Sequence, residues 1–451
     1  MAAFRFSQRR AGILLHPTSL PSGTLTDALP WLDFLHASGC GVWQMLPLGV
    51  PLSGQSPYQC ASAFAVDPAL FPNARADMRS FARWCRSQAY WLNDYARFAV
   101  IKAQQGDRCW VDWPTEFRTR DAHTLDAFDQ LHETELTEVM AEQYRAWSHW
   151  QTIRQAAAAR GIALFGDMPI FVAHDSADVW AHQERFLLDE RGQPTVVAGV
   201  PPDYFSATGQ RWGNPQYNWD AMQADGFAWW LERLRYHFEF FDLVRIDHFR
   251  GLAAAWTIAA SEATAVNGYW QPVPGVALLQ KLKDVMGATP LVAEDLGVIT
   301  PDVVALRRQF ELPGMAVLQF AFDEHSDNPH KPENVQEDCV YYTGTHDNDT
   351  TLGWFQTLPH DVQQQIMQQL NASHAGQVLD AMQATVLESR AAMAILPMQD
   401  VLHLGSEARM NTPGTSSGNW HWRFQWDMLG ADLASCLQQK LEKTARCTKL
   451  P

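Results

Sequence analysis

Cysteine pairs at redox or metal-ligand spacing are missing from this chain. Its seven cysteines stand at 40, 60, 85, 109, 339, 436 and 447 with no C-x-x-C among them, the pattern of reduced cytoplasmic thiols. Basic clusters are scarce as well. Lys and Arg total 34 against 50 acids, a formal charge of −16, and phosphate contacts need grouped cations. Nucleic acid is excluded as a partner. The N-terminal stretch MAAFRFSQRRAGILLHP holds no apolar run long enough for a signal peptide or a membrane span, so no membrane partner is expected. Neither G-x-G-x-x-G nor G-x-x-x-x-G-K-[ST] follows any apolar run, which removes the usual nucleotide cradles and leaves no cofactor implied. G-x-S-x-G is absent, so no Ser-His-Asp reading is supported. Internal repeats, low-complexity tracts and polar linkers are also lacking.

What is present is a long, hydrophobic chain. Its 451 residues, 47% of them hydrophobic, fill one large α/β domain or two to three ordinary ones. Nineteen tryptophans stand out. Large rings fill cores, and they also form platforms against which sugars stack; composition does not separate the two.

Eight short apolar runs recur, each closing on polar residues: 11–19, 42–49, 162–172, 240–248, 291–297, 315–323, 339–349 and 394–402. Helical patterns lie between most of them, as in WLDFLHASG, VVALRRQFELPG and DVQQQIMQQL. Strands alternating with helices imply a parallel sheet, and eight of them predict a closed (β/α)8 TIM barrel rather than an open doubly wound sheet. Residues 51–160 and 173–240 are too long for simple crossovers. They are expected to be subdomains inserted after strands 2 and 3, the first mostly helical and the second carrying a loop over a groove. The whole of residues 1–451 then forms one catalytic barrel with excursions.

In such a barrel the site gathers where the strands end. Asp167 ends the third strand, Asp247 the fourth, Glu294 the fifth and Asp347 the seventh. Four carboxylates at one rim repel unless a cation or a cationic transition state sits among them. Arg245 lies two residues before Asp247 and shares its face of the strand, which favours an ionised carboxylate. That suits a nucleophile. Glu294 follows Leu-Val-Ala without an adjacent Arg, a setting in which an acid keeps its proton. Two carboxylates in opposed settings are the mark of glycoside chemistry through an oxocarbenium-like transition state. Plainer readings stand beside these: Asp167 as a turn residue, Asp247 within a structural ion network, Asp175 and Ser176 as a helix cap. His346 beside Asp347 is a metal-type pair, but no second His stands at ligand spacing, and no metal is expected.

These residues lie within longer stretches: ILLHPTSLPSG, SPYQCASAFAVDP, GDMPIFVAHDSADVW, VAGVPPDYFSATGQRWGNPQYNW, VRIDHFRG, AEDLG, TGTHDNDTTLGW and SEARMNTPGTSSGNW. Together they resemble the 4-α-glucanotransferases of the amylomaltase or disproportionating-enzyme family, a branch of the α-amylase-like barrels. The resemblance spans nearly the whole chain in the family's order. It implies Asp247 as nucleophile, Glu294 as acid/base, and Asp347 gripping sugar hydroxyls with His346 and Arg245, above a supporting Asp167. It also implies Tyr204 and Phe205 on a loop over the groove, and Tyr58, Trp212, Asn214 and Asn411 along glucan subsites. The substrates implied are a maltooligosaccharide or α-glucan donor and a glucose or glucan acceptor, handled by a monomer or weak homo-oligomer.

Two segments depart from the family pattern. Thr24-Leu25-Thr26-Asp27 replaces a Gly-Ile-Gly-Asp type turn, and Gly54-Gln55 replaces the Gly-Asp before SPYQ. The chain is also expected to enter its first strand directly, without the extra N-terminal domain of some bacterial relatives. A glucan hydrolase and a non-catalytic glucan-binding protein are the competing functions; the presence of all three carboxylates counts against the second.

Overall fold

Eight short parallel strands, buried on both faces, wind into a barrel. The computed structural model describes residues 6, 8–52, 54–202, 206–287, 289–415 and 417–448. The strands are β1 Arg10–Leu14, β2 Val42–Gln44, β3 Ala163–Pro169, β4 Leu243–Asp247, β5 Leu291–Ala293, β6 Gly314–Val317, β7 Cys339–Tyr342 and β8 Met393–Pro397. Each falls within or beside one of the eight apolar runs, and their order in the sheet is β6-β7-β8-β1-β2-β3-β4-β5. The fold is the (β/α)8 barrel expected from the alternation. Continuous apolar composition suits such strands because neither face meets water.

The β5–β6 edge is the seam of the barrel. There the ladder thins to the Ala293 amide donating to Pro313 O at 2.8 Å, supplemented by the Met315 amide on Asp295 Oδ1 at 2.7 Å. Inside the wall, Gly166 of β3 admits no side chain, since a Cβ there would meet the Phe241 ring at 2.3 Å. That close approach packs Phe241 on the face of β3 opposite the Asp167 side chain.

The long segment between β2 and β3 is helical. Its 27-residue helix Glu133–Ala159 grips the end of helix Ala228–Phe240, which leads into β4. Trp150 Nε1 donates to Phe240 O at 2.9 Å, and Arg154 donates to Glu239 O at 2.6 Å and to Asp242 Oδ1 at 3.1 Å. A four-stranded antiparallel sheet lies outside the barrel, ordered Gln210–Pro215, Val196–Val200, Ala254–Ala259, Gly268–Pro272. Two of its strands follow β3 and two follow β4. Many tryptophans serve the core: Trp31, Trp43, Trp110, Trp150, Trp180 and Trp230 are fully buried. All seven cysteines are free thiols, and among the described residues no helix is long and apolar enough to cross a membrane.

The end of the barrel where β1 and β8 begin is closed by one cation. Arg446, fully buried, donates to Leu387 O at 2.6 Å, Ser389 O at 2.8 Å, Ala391 O at 2.8 Å and Arg10 O at 3.0 Å. Four carbonyls thus accept from one guanidinium, and Arg9 Nη2 also reaches Leu387 O at 3.2 Å and Ser389 O at 2.7 Å. Arg446→Met should lower the unfolding free energy by about 2 kcal/mol or more, because buried carbonyls lose this donor and Arg9 makes up only part of the loss. A urea midpoint equal to that of the unaltered chain would refute this role.

Candidate functional site

The rim of β3 and β4 is organised by one guanidinium. Arg245 lies almost wholly inside the protein, with Nη1 donating to Asp167 Oδ2 at 2.6 Å and Nη2 to Asp247 Oδ1 at 2.7 Å. Asp167 and Arg245 are register partners across the strands, so the pairing follows directly from the sheet. Burial works against the charge on Arg245, but Asp167 and Asp247 outweigh it and raise its pKa. Burial likewise pushes the Asp167 carboxyl up, against the pull of Arg245. Asp247 sits at the mouth, with its side chain 29% exposed. Arg245 holds it through Oδ1.

Tyr58 arrives from the long segment after β2. Its hydroxyl donates to Asp167 Oδ2 at 2.6 Å and meets His346 Nε2 at 2.8 Å. A carboxylate only accepts, so the phenol proton goes to Asp167 and His346 must donate through Nε2. The rings of Tyr58 and His346 stack at 5.4 Å and 15°. Tyr58 therefore sets the His346 tautomer as well as its plane.

Glu294 follows β5 directly. The register Ile246↔Ala293 carries on to set it beside Asp247 on the neighbouring strand. Its Oε2 accepts the His248 amide at 2.7 Å and its Oε1 the Leu296 amide at 3.0 Å. Burial pushes the Glu294 carboxyl up to about 8; Arg245 pulls it down and Asp247 adds to the rise. The sequence set Glu294 in apolar company away from any Arg. In the fold Arg245 does reach it, and burial still dominates.

Beyond β7 the chain turns through Thr345–Asn348, where Asn348 Oδ1 accepts the Thr345 amide at 2.9 Å and its hydroxyl at 2.8 Å. This turn presents Asp347. Asn411 Nδ2 donates to Asp347 Oδ1 at 2.6 Å, and His346 Nε2 lies 3.4 Å from the same oxygen. Arg409 Nη2 holds the Asp347 carbonyl at 2.7 Å. Among the described residues no group of three His, Cys, Asp or Glu side chains stands where it could hold a metal ion.

The structure thus gathers Asp167, Arg245, Asp247, Tyr58 and His346 into one hydrogen-bonded set, with the Asp347–Asn411 pair 3.4 Å from His346 Nε2 and Glu294 beside Asp247. Trp212 stands apart from that set. Its half-buried ring meets Phe171 at 6.3 Å and His248 edge-on at 4.8 Å. Asn214 is turned inward, donating to Val172 O at 2.8 Å and accepting from Gln59 Nε2 at 3.1 Å. Tyr204 and Phe205 lie outside the described residues. Three residues belong here that the sequence did not single out: Arg409, Trp420 and His248. Trp420 packs 6.1 Å from both Tyr58 and His346. Arg409 and Trp420 lie in SEARMNTPGTSSGNW, and that shared stretch was the available signal.

Comparison with known proteins identifies the family. A family model described as 4-alpha-glucanotransferase matches residues 14–75 and 69–429. The chain is 43% identical to the 4-alpha-glucanotransferase of Synechocystis, covering 94% of this chain and 95% of that protein. Identity to the 4-alpha-glucanotransferase of Thermus thermophilus is 44%, over 97% and 99%. Among solved structures, amylomaltase from Streptococcus agalactiae in complex with acarbose superposes with a TM-score of 0.93 at 30% identity, over 98% of this chain and all of that one. This chain belongs to the 4-alpha-glucanotransferase family.

Proposed function

We propose that this protein cuts an α-1,4-glucan and passes the released segment to the 4-hydroxyl of a second glucose or glucan, with retention, through a covalent intermediate on Asp247. The observation that carries the reading is the opposed setting of two carboxyls on adjacent strands: Asp247 against a guanidinium, Glu294 buried and raised to about 8. Neighbouring strands lie about 4.8 Å apart, and successive rim positions at that spacing suit the short carboxyl separation of a retaining site.

In the first step Asp247 Oδ2 attacks the anomeric carbon as the glycosidic C–O bond breaks. Glu294 gives its proton to the departing oxygen. Asp347, aligned by Asn411 and His346, takes hydroxyls of the sugar at the cleavage point. In the second step the Glu294 carboxylate removes the acceptor's hydroxyl proton, that oxygen attacks the anomeric carbon, and the ester to Asp247 breaks. The proton inventory closes on Glu294. Arg245 and Tyr58 hold Asp167 and Asp247 in place throughout, and Trp212 offers a ring beside the acid/base. No cofactor enters either step. We read residues 1–451 as a single catalytic barrel domain, with 51–160 and 173–240 as its excursions.

Asp247→Asn should lose several orders of magnitude in rate while keeping its fold. With an activated glucosyl donor, Glu294→Gln should accumulate an adduct on Asp247 by intact-mass and peptide analysis; an adduct on a different carboxylate would overturn the assignment.

The raised Glu294 carboxyl predicts an alkaline limb. The acid must be protonated to assist departure, so kcat/KM on maltotriose should fall as pH rises through about 8. Glu294→Gln should abolish that limb along with most of the rate. A wild-type profile still rising well above pH 9 would contradict the acid's identity.

Transfer and hydrolysis share the intermediate and differ in which acceptor reaches it first. A held hydroxyl can have an effective molarity of about 10⁵ M or more, enough to outcompete water. Maltotriose should therefore give glucose together with maltopentaose and longer chains, with almost no gain in reducing ends. Products that are only shorter, with reducing ends climbing, would make the protein a hydrolase.

A further inference from the structure

His248 follows the proposed nucleophile, and its backbone is left-handed, with φ at +54°. That conformation crowds an L side chain and is tolerated best by Gly, Asn, Asp and His. Here it turns the chain sharply out of β4 into the short helix Phe249–Leu252. The turn points two successive amides at one residue of the next strand. His248 N–H donates to Glu294 Oε2 at 2.7 Å, and Phe249 N–H donates to the Glu294 carbonyl at 3.0 Å. Side chain and main chain of Glu294 are thus both held from the same corner.

The imidazole contributes differently. Its Nε2 is buried with no protein hydrogen-bond partner, and burial lowers the ring's pKa to about 4, so it stays neutral at working pH. Its edge contact with Trp212 at 4.8 Å and the close approach of Gly251 wedge the ring in place. A Cβ on Gly251 would come within 3.3 Å of the ring carbon Cδ2 and 2.7 Å of Ile170, so this tight corner admits little else.

We propose that His248 is a positioning residue for glycosyl transfer, whose left-handed backbone delivers the amide that orients Glu294 as acid/base. This rests on the assignment of Glu294 made above. The residue aims a carboxyl that touches substrate and takes no part in bond making itself. An amide bonded to a carboxylate also favours its ionised form, so losing the bond moves the titration of Glu294 upward. The charged groups facing that carboxyl are Arg245 and Asp247, both on β4, and they are unchanged by the variants below.

The test compares His248→Gly, His248→Asn and His248→Val, with folding monitored by circular dichroism. Gly and Asn accept the left-handed backbone, and each should keep severalfold more maltotriose turnover than Val, with the alkaline limb in place. Val resists that backbone; its turnover should fall by about tenfold or more, with the limb displaced to higher pH. Adduct formation from α-glucosyl fluoride, whose leaving group needs little proton assistance, should survive in His248→Val. Loss in the Gly and Asn variants as deep as in Val would mean that the imidazole itself acts, and would overturn the proposal, as would an unmoved limb in a folded Val variant. Should Val fail to fold, the Gly and Asn pair still decides. Full maltotriose activity in Glu294→Gln is a separate outcome: it would remove the acid/base assignment, and the positioning role with it.

Discussion

Everything at the groove depends on one buried guanidinium. Arg245 is deprived of water and divided between Asp167 and Asp247. Burying an ion costs several kcal/mol, and a buried pair recovers that cost only when its hydrogen bonds are well made. The bonds at 2.6 and 2.7 Å recover part of it, and Tyr58 adds a third donor on Asp167 Oδ2, while the buried Asp167 Oδ1 has no hydrogen-bond partner among the described residues. The division has a chemical consequence. Two carboxylates against one guanidinium leave an excess negative charge at the rim, where a developing oxocarbenium centre would be stabilised. A neutral or fully paired rim would bind sugar without favouring its cationic transition state.

The same cluster separates the two carboxyls proposed to react, although they stand side by side at the rim. Asp247 is met by a cation and opens to the mouth. Glu294 is met by two neutral amides and by apolar burial, which outweighs the reach of Arg245. Neighbouring carboxyls with like surroundings would share one proton between them. Burial raises the Glu294 carboxyl, which suits the proton-holding role proposed for it.

Much of this was legible in the sequence, and the residues show why. Strands buried on both faces read as apolar runs, so all eight barrel strands could be found, and carboxylates at their ends marked the rim. Their limits were less legible. Residues 11–19 form one run, yet the strand stops at Leu14 and Pro17–Ser19 form a short helical turn; the run reads longer than the strand because His16, Pro17 and Ser19 are buried too. The antiparallel sheet escaped the pattern altogether, since Val196–Val200 pairs with Ala254–Ala259 on the far side of β4. Tyr58 reaches Asp167 across 109 residues, and no local rule places a phenol on a carboxylate at that separation. His248 was visible only as a polar neighbour in RIDHFRG. A left-handed non-glycine backbone is set by what surrounds it, here Gly251, Trp212 and the end of β5.

The barrel's closure and its chemistry meet at two consecutive residues. β5 is only three residues long, and the sheet thins between it and β6. Asp295 repairs that seam by accepting the Met315 amide at 2.7 Å and pairing with Arg307 at 3.1 Å. Gly314 makes the approach possible, since a Cβ there would lie 2.6 Å from the Asp295 carboxylate. Glu294 precedes Asp295 and is gripped from the opposite side by the His248 corner of β4. Glu294, the proposed acid/base, is therefore held between two fixed points, one sewing β5 to β6 and one anchoring it to β4. A short strand with a weak ladder is a poor platform for a carboxyl that must be aimed within a fraction of an ångström. The side-chain stitch at Asp295 supplies the rigidity that the ladder lacks, so on the proposed mechanism loosening the seam would act on glycosyl transfer through the direction of Glu294 before it acted on the fold.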